Sequence, residues 1–117
     1  MQNLITQFQK RLLTFSVDIF RLLESVPYSD TKKVIAYQLG KSASSVGANF
    51  RAFCRGRSNN EKFSKICIVV EEADETEYWL AIMAELKLGE LEERKRLQKE
   101  IDEIIRVTVS IKNKLWK

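Results

Sequence analysis

Three features of this sequence predict an all-α fold: an antiparallel up-down-up-down four-helix bundle occupying residues 1–117 as a single domain. Chain-breaking residues are scarce, with one proline, Pro27, and four glycines in 117 residues, too few for the turns a sheet needs. Apolar residues recur at steps of three and four through four long stretches, the spacing that lays a stripe along one side of a helix. The stretches are separated by short polar joints, which fold successive helices back on one another. A chain of this length can bury a real core without staples.

The first helix is expected over about 3–25, with Ile5, Phe8, Leu12, Phe15, Ile19, Leu22 and Val26 on one stripe. Pro27 ends it, because proline disfavours helical geometry in the residue before it. Ser29 or Asp30 can then cap the second helix, expected over about 31–57, by accepting bonds from its unpaired amides. Its stripe is Ala36, Leu39, Ala43, Val46, Phe50 and Phe53, with Gly40, Gly47 and Cys54 beside it at a spacing of seven. Small residues so placed let a neighbouring helix come close, which would justify helix glycines that each cost ~1 kcal/mol.

Ser58 with Glu61 matches a capping box and marks the start of the third helix, expected over about 59–87. Its stripe is Ile66, Val69, Ala73, Thr76, Leu80 and Met83, with Gly89 as the stop signal. The fourth helix, about 90–116, opens on Glu90, Glu92 and Glu93, which suit the positive end of a helix dipole. Leu97, Ile101, Ile104, Thr108, Ile111 and Leu115 form its stripe.

A second apolar face runs through Leu13, Val17 and Phe20 on the first helix and through Cys67, Ile68 and Tyr78 on the third. A lone bundle would leave these in water. The expected remedy is self-association, with Leu13, Val17, Phe20, Ile68 and Tyr78 at the subunit interface.

Charge is polarised along the bundle. Up-down topology gathers residues 1–12, 46–70 and 105–117 at one end, and these hold eleven basic residues against one acid, Glu61. The rest of the chain carries nine basic and fifteen acidic residues, so the net charge of +4 conceals a strongly positive end. Such an end attracts polyanions by counterion release and long-range steering. Arg51, Arg55, Arg57, Lys62, Lys65, Lys112 and Lys114 are the candidate nucleic-acid contacts. Phe50, Phe53 and Phe63 fall on or beside core stripes, which points to recognition of backbone and shape in a structured RNA or DNA.

Several function classes are disfavoured. Histidine is absent, which removes Ser-His and Cys-His nucleophiles, histidine zinc sites and the usual neutral-pH base. Two cysteines, Cys54 and Cys67, are too few for a disulfide framework or a four-thiolate metal site. No export signal or membrane-spanning stretch is visible, so the expected compartment is the cytoplasm, with no membrane partner and no cofactor. Helical metal-dependent nucleotide pyrophosphohydrolases hold magnesium on carboxylates three residues apart, and Glu72–Glu75 and Glu100–Glu103 have that spacing. Helical phase points Glu71, Asp74 and Glu75 outward, so a solvated face is the simpler reading.

Residues 37–80 resemble the "four helix bundle protein" family, which includes products of reading frames inside intervening sequences of bacterial 23S ribosomal RNA genes. The resemblance is carried by Gln38-Leu39, Ser42-Ala43, Ser45-Val46, Ala48-Asn49, Arg51-Ala52, Arg55, Arg57-Ser58, Phe63, Lys65, the acidic run 71–75 and Trp79-Leu80. Where many relatives carry an acidic residue and a glycine after the asparagine segment, this chain has Ala52-Phe53 followed by Arg55 and Arg57. The resemblance implies assembly into a homo-oligomeric ring, often a pentamer. It also implies kinship with accessory proteins of diversity-generating retroelements, which bind nucleic acid and a reverse transcriptase through a basic surface. It supplies no catalytic residues. The resulting expectation is a non-enzymatic, self-associating bundle binding RNA or DNA, with a nucleic-acid-processing protein as a further partner. The alternatives are a protein-interaction or assembly module and, third, a carboxylate-metal pyrophosphohydrolase.

Overall fold

The computed structural model describes residues 2–115, which form four helices: α1 (Gln2–Glu24), α2 (Asp30–Cys54), α3 (Asn59–Glu85) and α4 (Leu91–Leu115). Trp116, the expected end of the last helix, and Lys117, one of the counted cations, lie outside the described residues. The molecule measures 44 × 24 × 19 Å. At 1.5 Å per residue the helices match the long axis, so they lie side by side along it.

The apolar stripes face a common core. Leu12, Phe15, Ile19, Leu39, Val46, Phe50, Ile66, Leu80, Met83, Leu97, Ile101 and Ile104 are almost completely buried. Ile5 departs from its stripe and is exposed, at the rim of clefts between α1 and its neighbours. Ala36, Phe53, Ile111 and Leu115 are only half-buried against the core, whereas Leu23 and Ile35, on neither expected stripe, are buried in it.

Polar groups inside the core are satisfied locally. Thr76 donates to the Glu72 carbonyl at 2.7 Å and reaches Ser42 of α2 at 3.0 Å. Ser16 bonds the carbonyls of Leu12 at 3.1 Å and Ala43 at 3.3 Å, so it ties α1 to α2. Among the described residues no buried side-chain nitrogen or oxygen lacks a partner. An unpaired group there would cost about 1–3 kcal/mol.

The small residues of α2 divide in function. A Cβ on Gly40 would sit 2.8 Å from the ring of Phe20, so glycine lets that ring come close against α2. At Gly47 a methyl would meet Leu12 at an ordinary 3.5 Å, so close approach does not explain that glycine. Facing pairs run in opposite senses along α1 and α2: Leu12 faces Gly47 and Phe20 faces Gly40. On the α1–α4 side, Arg11 meets Glu100 and Asp18 meets Arg96.

The helix ends correct several sequence expectations. Ser29, rather than Asp30, caps α2, accepting from the Lys32 amide at 2.9 Å. α2 stops at Cys54, three residues earlier than expected, which places Arg55 and Arg57 in the joint. Ser58 caps α3 by accepting from the Glu61 amide at 3.1 Å, but Glu61 reaches back to the Arg57 amide at 3.0 Å and not to that of Ser58. α3 ends in a Schellman turn: Leu88 donates to the Met83 carbonyl and Lys87 to that of Ala84. Lys87 at φ 57° therefore holds the left-handed stop position given to Gly89. Gly89, at φ 81°, is needed two residues later, where the chain turns against Leu22. No helix of the described residues is long and apolar enough to cross a membrane.

Candidate nucleic-acid interface

The α2–α3 joint, the start of α1 and the end of α4 lie together. Thr6 and Gln9 of α1 share a cleft with Arg55 and Lys62, while Val107 and Ile111 of α4 share another with Leu4, Phe8 and Phe50. Arg51, Arg55, Arg57 and Lys114 are exposed, and Lys62, Lys65 and Lys112 are half-buried. Among the described residues, the ion pairs at this end are Arg57 with Glu61, at 3.5 Å, and Arg11 with its α4 partners. Arg57 remains 88% exposed, so that contact does not neutralise it toward solvent.

Arg11, counted with the positive end, is committed elsewhere. Its guanidinium donates to both oxygens of Glu100, at 2.6 and 2.8 Å, and to Glu103 at 3.0 Å. Those charge-assisted bonds raise its pKa further above the ordinary arginine range and fasten α1 to α4.

The seven candidate residues do not form one continuous surface. Arg55 and Lys62 share the cleft beside α1, with Lys65 one helical turn further along α3. Arg51 lines a separate groove between α1 and α2 with Leu13 and Ala48. Lys114 lines a shallow groove along α4 with Arg106 and Asn113. Sequence reasoning missed the contribution of α1, since Thr6 and Gln9 carry no charge. It also missed Gly56, whose position between two arginines was the available signal. A Cβ there would lie 2.6 Å from Lys62 Cγ and 3.3 Å from its backbone nitrogen, so glycine lets the joint close onto Lys62.

The aromatic residues of this end are engaged in packing. Phe8 meets Phe50 edge-to-face at 4.9 Å, Phe53 stacks on Phe50 at 5.5 Å, and Phe63 is half-buried against the core. The Lys62 ammonium lies 5.9 Å from the Phe53 ring centroid.

The second apolar face is present on α1, where Leu13, Val17 and Phe20 are 53%, 40% and 47% exposed. Tyr78 is exposed on α3. Ile68 is half-buried, and so has less surface left to give an interface than its sequence position implied.

The acidic run does not assemble a metal site. Among the described residues no group of three or more acidic, cysteine or histidine side chains could hold a metal ion. Glu100 and Glu103 are occupied by Arg11. Glu72 is half-buried, and burial together with Glu75 raises its pKa, while Lys41 of α2 opposes the shift.

With this geometry in place, comparison with known proteins is decisive at the family level. Residues 6–110 match the family model described as 23S rRNA-intervening sequence protein. The chain belongs to that family. A crystal structure of a protein with unknown function from the S23 ribosomal protein family of Bacteroides thetaiotaomicron superposes with a TM-score of 0.81. The two are 28% identical, over 89% of this chain and 96% of the other. No curated protein matches. The family membership expected from residues 37–80 therefore extends into both outer helices.

Proposed function

We propose that this member of the 23S rRNA-intervening sequence protein family is a non-enzymatic, homo-oligomeric bundle. Its α2–α3 end binds the phosphate backbone of structured RNA or DNA. One observation carries the reading: Arg51, Arg55, Lys62 and Lys65 gather at that end without a carboxylate partner among the described residues. An end so charged, with its aromatics packed inward, suits phosphate contact better than base reading.

An up-down-up-down arrangement fits the facing pairs, which run in opposite senses between α1 and α2 and between α1 and α4. Self-association fits the exposed line of Leu13, Val17 and Phe20, and the pentameric ring implied by the resemblance would repeat the basic end in every subunit. Weak phosphate contacts would then add through multivalency. The pyrophosphohydrolase reading is disfavoured by Arg11, which occupies one of its two carboxylate pairs.

The test is fluorescence anisotropy of a labelled, structured RNA at several salt concentrations, with light scattering fixing the oligomeric state. The expected result is binding at micromolar or tighter concentration that weakens steeply with salt, the slope counting the phosphates neutralised. Absence of binding at low salt would favour a protein-docking or assembly role for the same end.

A further inference from the structure

We infer that the cleft between the start of α1 and the α2–α3 joint is a phosphate-binding subsite, taking a backbone phosphate of a double-helical nucleic acid. This rests on the nucleic-acid reading above and assigns the place where the polyanion is gripped. The cleft has a volume of about 310 Å³ and is walled by Thr6, Gln9, Phe53, Cys54, Arg55 and Lys62, with no carboxylate in its lining. Arg55 and Lys62 supply two cations, and Thr6 and Gln9 supply neutral hydroxyl and amide donors on the opposite wall. A ring of donors around a pair of cations is the arrangement a phosphate oxyanion requires.

The Lys62 cation is positioned rather than merely nearby. The Lys62 stem is set against Gly56, where even a methyl group would come within 2.6 Å of Cγ. Its ammonium lies 5.9 Å from the Phe53 ring centroid, a contact that restrains the flexible end. Cys54 reports on the field inside the cleft. Burial pushes its thiol up, while a hydrogen bond with Gln9 and then the charges of Lys62 and Arg55 pull it back.

The occupant is a backbone phosphate and not a base. Phe53, the aromatic wall of the cleft, is already stacked on Phe50 and covered by the Lys62 ammonium. Proteins that hold single strands depend on open aromatic faces for successive bases. Beside Ile5 and the already covered Phe53, the groups this cleft offers are charges and hydrogen-bond donors, which suits a duplex whose bases stay stacked among themselves.

Cys54 makes the subsite directly testable, with Cys67 of α3, outside the cleft, as internal control. The oligomeric protein is saturated with a two-turn RNA duplex, monitored by anisotropy, and alkylated with iodoacetamide. Modification of each cysteine is followed by peptide mass spectrometry. At duplex concentrations about ten times Kd, Cys54 modification should slow about tenfold while Cys67 keeps its rate. Unchanged Cys54 reactivity with the duplex bound, or equal slowing of both cysteines, overturns the subsite and leaves the nucleic-acid reading standing. Equal protection by an unstructured oligouridine strand or by millimolar inorganic phosphate overturns its assignment to a duplex backbone. Failure of the duplex to bind at low salt would remove the underlying reading and the subsite with it. A Lys62→Gln variant gives an independent measure: its salt slope should fall by about one, and an unchanged slope counts against the assignment.

Discussion

The two joints at opposite ends of α3 are built from similar parts and use charge in opposite ways. The α3–α4 joint contains a glycine and a left-handed lysine, and a buried arginine at the start of α4 closes onto it. Arg94 is only 8% exposed and donates to the carbonyls of Leu88 at 3.0 Å and Gly89 at 3.4 Å. Glu90 accepts from the amides of Glu92 and Glu93 at 2.9 and 3.0 Å and caps α4. There the charged groups complete the backbone's hydrogen bonding. The α2–α3 joint also contains a glycine and a capping serine, but Arg55 and Arg57 remain exposed there. Charge in the first joint is structural. Charge in the second is left available, and available charge gathered at one end is the physical basis of the binding proposal.

The largest effect that would sharpen this contrast is on Arg94. Arg94→Ala removes a charged donor from two carbonyls in a buried setting, and bonds to charged groups contribute about 1.5–3 kcal/mol. Thermal unfolding should show a loss of about 2 kcal/mol, with RNA affinity per folded protein unchanged. An unaltered melting temperature would mean that the α3–α4 joint does not depend on its arginine.

The reciprocal variant carries Arg55→Glu and Arg57→Glu. Affinity for structured RNA should fall at least about tenfold, equivalent to about 1.4 kcal/mol. Stability should move by no more than about 1 kcal/mol, because Arg55 caps α2 through its backbone and the side-chain pair that is lost, Arg57 with Glu61, is exposed. Retained affinity, with the oligomer intact by light scattering, would break the comparison, since these arginines would then be no more functional than Arg94.

A smaller effect is expected where two like charges meet between α3 and α4. Glu77 shares a hydrogen bond with Asp102, which requires a proton, and this bond with burial pushes the Glu77 carboxyl up to about 7. Its folded pKa thus lies above the unfolded value, so the native state holds the proton more tightly. Stability from this group is present at pH values below about 4.5 and is lost as pH rises through about 7. Glu77→Gln should therefore be more stable than the wild type near pH 8, with the advantage vanishing near pH 5, as read from paired thermal melts. A constant difference across that range would show that the pair does not share a proton.

Much of the fold was legible because apolar spacing is a local property. The stripes of α3 and α4 gave core residues such as Ala73, Leu80, Ile101 and Ile104 directly. Ser58 and Pro27 marked boundaries through chemistry that acts within a few residues. The candidate site was legible only as a bias of charge. The arginine series was visible, yet the separation of Arg51 and Arg55 into different grooves was not, because it depends on where α2 stops and which neighbour fills the space beside it. Thr6 and Gln9 were invisible for the same reason: nothing local to the first helix says that it will wall a cleft fifty residues away.

The amino-acid sequence by itself determined four helices, their stripes, a family and a positive end, since each follows from residue type and short-range spacing. Which charges are committed and which remain available was settled by how the helices pack. Arg11 and Arg57 look alike in sequence, but one is clamped by Glu100 and Glu103 across a helix interface and the other stands 88% exposed in a joint. A charge's role depends on its partners and its contact with water. Both are set by residues far away in the chain, brought near only when the helices pack.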